Sequence, residues 1–194
     1  MRQLPRWQRL SAAKTLIGTG TVTAPSQADK VKAAGGQLIV SPDTNVGVIC
    51  LIEELGLVSM PGFATASEAF TAIDAGADAL KMFPARAGGA PTLSALKSVL
   101  PADIAVYALG GVGPANMAEF VSAGADGFGL GTHLYQPGDS AADVAEKSPR
   151  SCYRLRKSVW LVSRQLYWFR VIQFATQCKA CSPASIAAGK VMNP

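Results

Sequence analysis

The stretch DAGADALKMFP, residues 74–84, joins the end of a helix to an apolar strand, and closely similar phrases occur elsewhere in the chain. They are AAGGQL at residues 33–38 and SAGADGF at residues 122–128. In each phrase a glycine suits the left-handed position that follows a helix, and the next residues begin an apolar run. The phrases therefore predict repeated units in which a helix is followed by a strand.

Six strand-like apolar runs begin near residues 15, 37, 57, 79, 105 and 127, and stretches with a helical pattern follow them, at 25–34, 45–55, 65–75, 91–100, 114–123 and 139–147. This alternation predicts an α/β fold with a parallel sheet. We assign it to the (β/α)8 barrel class, with about six βα units present. The alternative is an open Rossmann-like sheet, but Gly18-Thr19-Gly20 lacks the third glycine of the GxGxxG pattern.

The last two predicted strands end in glycine-rich turns, Gly110-Gly111 and Gly129-Leu130-Gly131-Thr132. Backbone N–H groups in such turns approach an anion closely because no Cβ intervenes. In barrels, a phosphate site often lies in the loops after strands 7 and 8. We therefore predict a phosphate site here, and the alternative is that these glycines only make tight turns.

Lys81 lies within an apolar strand, near the end that carries the active site in barrels. Burial disfavours the charged form of lysine and lowers its pKa, and a neutral amine attacks carbonyl groups to form a Schiff base. The sequence thus predicts a class I aldolase lysine. The ordinary alternative is that Lys81 extends its ammonium group to the rim of the barrel or pairs with Asp78.

Composition limits the other possibilities. Apolar residues make up 49% of the 194 residues, and no apolar run is as long as a membrane span. All thirteen acidic residues lie between Asp29 and Glu146, so both ends of the chain are purely basic. Cys178 and Cys181 form a single CxxC pair, which is weak as a metal signal. We expect no metal, no cofactor, no membrane association and a cytoplasmic location.

The motifs GTGTV, LIVSPD, PGFATASEAF, LKMFPA and DIAVYALGGV resemble those of the KDPG/KDPGal aldolases, over about residues 15–147. The resemblance is greatest to the type that acts on 2-dehydro-3-deoxy-6-phosphogalactonate, with the 6-phosphogluconate type as the alternative. It implies cleavage of a phosphorylated sugar acid to pyruvate and glyceraldehyde 3-phosphate in a homotrimer. It also implies Lys81 as the Schiff-base residue.

The resemblance implies roles for six further residues. It places Thr21 and Pro42 at the pyruvate pocket and the phosphate at Gly110, Gly111, Gly131 and Thr132. Thr132 stands where the family usually has serine. Phe83, two residues after Lys81, is a candidate wall of the pocket, and we count it with Thr21 and Pro42 as substrate-binding.

The two ends of the chain depart from the family pattern. The family has two further βα units before GTGTV, and the second carries a proton-shuttling glutamate. Residues 1–14 contain no acid that could replace it. We therefore expect a truncated barrel with weak or absent turnover. We interpret residues 148–194 as unrelated sequence from another reading frame or a vector. The alternative interpretation of this tail is a basic aromatic arm that binds nucleic acid or an anionic membrane. The alternative function of the whole chain is that of a non-catalytic, phosphate-binding partial barrel.

Overall fold

The computed structural model describes residues 16, 18–131, 136–140 and 142–143. The segments predicted as distinct ends of the chain, 1–14 and 148–194, lie outside the described residues, and so does Thr132. The described residues fall into two units. The first contains residues 18–81 and 102–105, and the second contains residues 82–101 and the described residues from 106 onward.

The first unit begins with a parallel three-stranded sheet. Its strands are β1 (Gly18–Gly20), β2 (Leu38–Val40) and β3 (Val58–Met60), in that order. Their register places Gly18 beside Leu38 and Leu38 beside Val58. Helices α1 (Pro25–Ala33) and α2 (Val46–Glu54) connect the strands, as expected for parallel pairing.

The core of this unit lies between the sheet and these two helices. Ile39 of β2 packs with Val22 and with apolar residues of both helices, including Ala28, Val48 and Ile52. All five side chains are at most 3% exposed. Burial of such side chains provides most of the free energy that holds a helix on a sheet.

The first unit continues with β4 (Gly62–Phe63), α3 (Ala66–Asp74) and β5 (Ala79–Met82), whose last residue already belongs to the second unit. Strand β4 lies next to β5. Helix α3 begins with a capping box, in which the Glu68 carboxylate accepts hydrogen bonds from the N–H groups of Ala64 and Thr65. These bonds lower the pKa of Glu68 and commit it to the helix terminus. Gly76, with φ of +94°, follows the helix at the predicted left-handed position.

The second unit contains α4 (Ala85–Lys97), β6 (Ala105–Leu109), α5 (Met117–Ser122) and β7 (Gly127–Gly129). Strand β6 begins at the boundary with the first unit. It pairs with β7 in parallel, with Tyr107 beside Gly127. The Asp126 carboxylate accepts hydrogen bonds from the Val106 N–H at 2.8 Å and from Lys97 Nζ at 2.9 Å.

The six predicted strands are confirmed, and β4 is an additional two-residue strand that follows Pro61. The predicted helix at 91–100 is wrong at both ends, because α4 runs from Ala85 to Lys97 and is interrupted at Gly89. The predicted helix at 114–123 begins three residues too early, since α5 starts at Met117. In the described part of the chain, no helix is long and apolar enough to cross a membrane.

Candidate active site

Lys81 is the one charged residue that is buried in the described part of the chain, with only 8% of its surface exposed. It is the third residue of β5, and its backbone N–H donates to the Pro61 carbonyl at 2.9 Å. Burial lowers its pKa from 10.5 to about 8, and the negative charge of Asp43 opposes this shift. At pH 7 about one Lys81 in ten is therefore neutral.

Asp43 is held near Lys81 by two hydrogen bonds between the segments that follow β2 and β3, one between backbone groups and one from the Thr44 side chain. The Asp43 carbonyl accepts the Gly62 N–H at 3.2 Å, and Thr44 Oγ1 donates to the Gly62 carbonyl at 2.7 Å. A side chain on Gly62 would overlap the Pro42 carbonyl, so the close approach requires glycine. These contacts connect Asp43 to Gly62, whose preceding residue, Pro61, accepts the Lys81 N–H.

Thr21 follows β1 directly and Pro42 follows β2 after Ser41, both at the carboxyl end of the parallel sheet. Thr21 is exposed and has φ of +62°, and its N–H donates to the Val40 carbonyl at 2.8 Å. A threonine in the left-handed region costs of order 1 kcal/mol, and such residues cluster at functional sites. Pro42 is half-buried. Both residues lie in the same unit as Lys81.

Phe83 and the glycine turns lie in the second unit. Gly110 and Gly111 follow β6, with φ of +89° and +78°. The Phe83 ring packs on Gly110 so closely that a Cβ there would lie 2.9 Å from two ring carbons. Gly131 is exposed, shortly after β7, while Thr132 lies outside the described residues.

Two residues near the predicted site residues were not predicted from the sequence: Asp43, which interacts with Lys81, and Arg86, which contacts the Gly110–Gly111 turn. Asp43 is 38 positions before Lys81, and no local pattern connects them. Arg86 packs on Gly111, and its N–H donates to the Gly110 carbonyl at 2.9 Å. The only sequence signal for Asp43 was that it directly follows Pro42, and the only signal for Arg86 was that it lies three residues after Phe83.

Comparison with known proteins identifies the family to which this chain is similar. The family model described as KDPG and KHG aldolase matches residues 7–146. The match begins within the basic segment 1–14 and contains nearly all of the predicted aldolase segment 15–147. The 2-dehydro-3-deoxy-6-phosphogalactonate aldolase of Escherichia coli K12 is 44% identical over 162 residues, which cover 80% of this chain and 79% of that protein.

Two solved structures extend the comparison. One, described as native KDPGal, has a TM-score of 0.75 and 44% identity, and the match covers 81% of this chain and 76% of that one. The other is the KDPG aldolase of Legionella pneumophila with pyruvate captured as a covalent carbinolamine. Its TM-score is 0.52 and its identity 31%, with 61% of this chain and 57% of that chain covered.

These similarities confirm the predicted α/β fold of the (β/α)8 type. Five strand–helix units are complete within the described residues. The similarities also confirm the resemblance to the KDPG/KDPGal aldolases that the motifs over residues 15–147 indicated. This chain belongs to the KDPG and KHG aldolase family.

Proposed function

We propose that this chain is a class I aldolase, a carbon–carbon lyase that cleaves 2-dehydro-3-deoxy-6-phosphogalactonate to pyruvate and glyceraldehyde 3-phosphate. The observation that carries the proposal is the burial of Lys81, which lowers its pKa to about 8. Burial of a charged lysine costs stability, and a lysine that attacks a carbonyl group needs a neutral amine near pH 7. The galactonate-derived substrate is favoured because the Escherichia coli relative that bears its name is 44% identical.

The proposed reaction begins when neutral Lys81 Nζ attacks the C2 carbonyl of the substrate and forms a carbinolamine. Loss of water gives a protonated imine, which withdraws electrons from the neighbouring carbon–carbon bond. The C3–C4 bond then breaks, the C4 hydroxyl loses its proton, and glyceraldehyde 3-phosphate departs. The enamine that remains takes up a proton at C3, and water releases pyruvate and restores the free lysine.

We assign the other predicted residues to binding. Thr21 and Pro42 bind the pyruvate part of the substrate, and Phe83 shields it from water. The turns at Gly110, Gly111, Gly131 and Thr132 bind the phosphate. Support for the turns comes from the positive φ values of Gly110 and Gly111, which allow backbone N–H groups to approach an anion.

The test is a coupled assay on the purified full chain, in which released pyruvate is reduced by lactate dehydrogenase and NADH absorbance is followed. Substrates are the galactonate-derived acid and its 4-epimer from gluconate. We expect cleavage with preference for the galactonate epimer and complete loss in Lys81→Met. Lys30→Gln, which removes an exposed positive charge from α1, serves as the control.

The outcomes separate the candidate functions. Cleavage that survives Lys81→Met, or that requires an added divalent metal, would overturn the Schiff-base proposal. Phosphate binding without any cleavage would favour the non-catalytic partial barrel instead. The measured rate also decides whether the weak turnover that we expected from the sequence is real.

We further propose that the enzyme acts in the cytoplasm as a homotrimer, without nucleic acid or membrane partners. Light scattering of the purified chain tests the assembly, and a monomeric mass with full activity would overturn it. Retention of the chain on anionic vesicles or DNA, lost when residues 150–194 are deleted, would favour the basic arm.

A further inference from the structure

The turn after β6 is covered by the segment that follows β5, and the fit is close at two successive glycines. A Cβ on Gly110 would lie 2.9 Å from the Phe83 ring, and a Cβ on Gly111 would lie 2.6 Å from Arg86 Cβ and 2.9 Å from Arg86 Cδ. The Arg86 N–H also donates to the Gly110 carbonyl at 2.9 Å. The aliphatic part of Arg86 is therefore placed against the turn by packing and by a backbone hydrogen bond.

The carbonyl groups of this turn already accept hydrogen bonds, so the groups that it can offer to a ligand are N–H donors. The Gly110 carbonyl accepts from the Arg86 N–H, and the Gly111 carbonyl accepts from Asn116 Nδ2 at 3.1 Å. Asn116 Oδ1 in turn accepts the Gly113 N–H at 2.9 Å. Within the described residues, the N–H groups of Gly111 and Val112 have no acceptor. A turn with engaged carbonyls and available N–H groups suits an anion.

The positive charge of Arg86 is also available to bind an anion. The second unit has two basic residues within the described part of the chain, and Lys97 is paired with Asp126 at 2.9 Å. Arg86 is exposed, and among the described residues its guanidinium has no carboxylate or carbonyl partner. A guanidinium offers paired N–H donors that match two oxygens of a phosphate.

We propose that Arg86 is a charged contact for the phosphate bound at the Gly110–Gly111 turn, and that it sets the preference for phosphorylated over unphosphorylated substrates. This inference rests on the proposed function, since it takes the substrate to be a phosphorylated sugar acid. Arg86 binds substrate and takes no part in the carbon–carbon cleavage.

Two measurements on the full chain test the inference. The first is calorimetric binding of glycerol 3-phosphate, which carries the phosphate but no reactive carbonyl. We expect Arg86→Gln to weaken this binding roughly 10- to 100-fold, as for loss of a charged hydrogen bond. Arg86→Lys should recover part of the affinity, and Lys30→Gln should leave it unchanged.

The second measurement is kcat/KM for the phosphorylated acid and for its unphosphorylated counterpart. Arg86→Gln should raise KM for the phosphorylated acid by a similar factor, with little effect on kcat or on the unphosphorylated acid. Equal losses for both acids, unchanged affinity for glycerol 3-phosphate, or no binding of that probe by the unsubstituted chain would each overturn the inference.

The binding measurement separates failure of this inference from failure of the proposed function. A chain that binds glycerol 3-phosphate through Arg86 but cleaves no sugar acid would contradict the aldolase proposal alone. A chain that cleaves the phosphorylated acid with Arg86→Gln unaffected would contradict the inference alone.

Discussion

Lys81→Met should make the protein more stable while it removes imine formation. Methionine has a length and volume close to those of lysine and fills the same site without a charge. In the folded protein the ammonium of Lys81 is largely removed from water, which is why its pKa falls from 10.5 to about 8. At pH 7 the folded chain therefore carries an energetic cost that the variant lacks.

The magnitude follows from this change in pKa. One pKa unit corresponds to about 1.4 kcal/mol, so the full cost at pH 7 is about 3 kcal/mol. Solvent at the edge of the site screens the charge, and we expect a measured gain of roughly 1–3 kcal/mol. Between pH 8 and 10.5 the unfolded chain binds more protons at this lysine than the folded chain, so the unsubstituted protein gains stability as the pH rises. The advantage of Lys81→Met should fall below about 1 kcal/mol at pH 10.

Urea unfolding followed by circular dichroism at pH 7 and pH 10 measures both effects at one protein concentration. Lys30→Gln controls for the loss of one positive charge. A Lys81→Met variant that is less stable at pH 7, or whose advantage grows with pH, would refute the assignment of Lys81 as a desolvated amine.

Four further substitutions test individual contacts in the two units. Asp43→Asn should lower the pKa of Lys81 further, so the pH midpoint of imine trapping should move to lower pH; an upward shift would contradict the assigned charge interaction. Gly62→Ala should destabilise the chain by about 1–3 kcal/mol in urea unfolding, because the added methyl group overlaps backbone, and a neutral effect would contradict that close packing. Asp126→Ala should cost about 1–3 kcal/mol and Lys97→Ala less than about 1 kcal/mol, because only the first removes a backbone hydrogen-bond acceptor; the reverse order would be inconsistent with this.

Much of the fold could be predicted because its signals are local. The phrase DAGADAL, residues 74–80, predicts a left-handed glycine followed by the start of a strand. The structure has both features, at Gly76 and at β5. The same phrase carries a role that was not predicted. The Asp78 carboxylate accepts the Ser59 N–H at 2.9 Å, just as Asp126 accepts the Val106 N–H.

The start of α4 could not be predicted from local sequence. The residues ARAGGAP contain two glycines and a proline, which are typical of a loop. In the structure a helix begins at Ala85, because the N–H groups of Ala87 and Gly88 donate hydrogen bonds to the Pro84 carbonyl. The Arg86 N–H donates to the Gly110 carbonyl. The last of these contacts joins residues 24 positions apart, so it leaves no periodic signal.

In the candidate site, too, local features could be predicted from the sequence and contacts between distant residues could not. Lys81 was identified from the sequence because a charge within an apolar strand is rare. Its interaction with Asp43 depends on hydrogen bonds that Gly62 makes with the Asp43 backbone and the Thr44 hydroxyl, and these depend on the fold. Single residues of the site are therefore readable from the sequence, whereas the groups that tune them are not.

The most direct test of the central claim is an intact-mass spectrum after incubation of the full chain with pyruvate and borohydride, followed by peptide mapping. The account predicts a single reduced pyruvyl adduct on Lys81, with trapping that increases with pH toward a midpoint near 8. A folded chain that gives no adduct, or an adduct that persists in Lys81→Met, would contradict it.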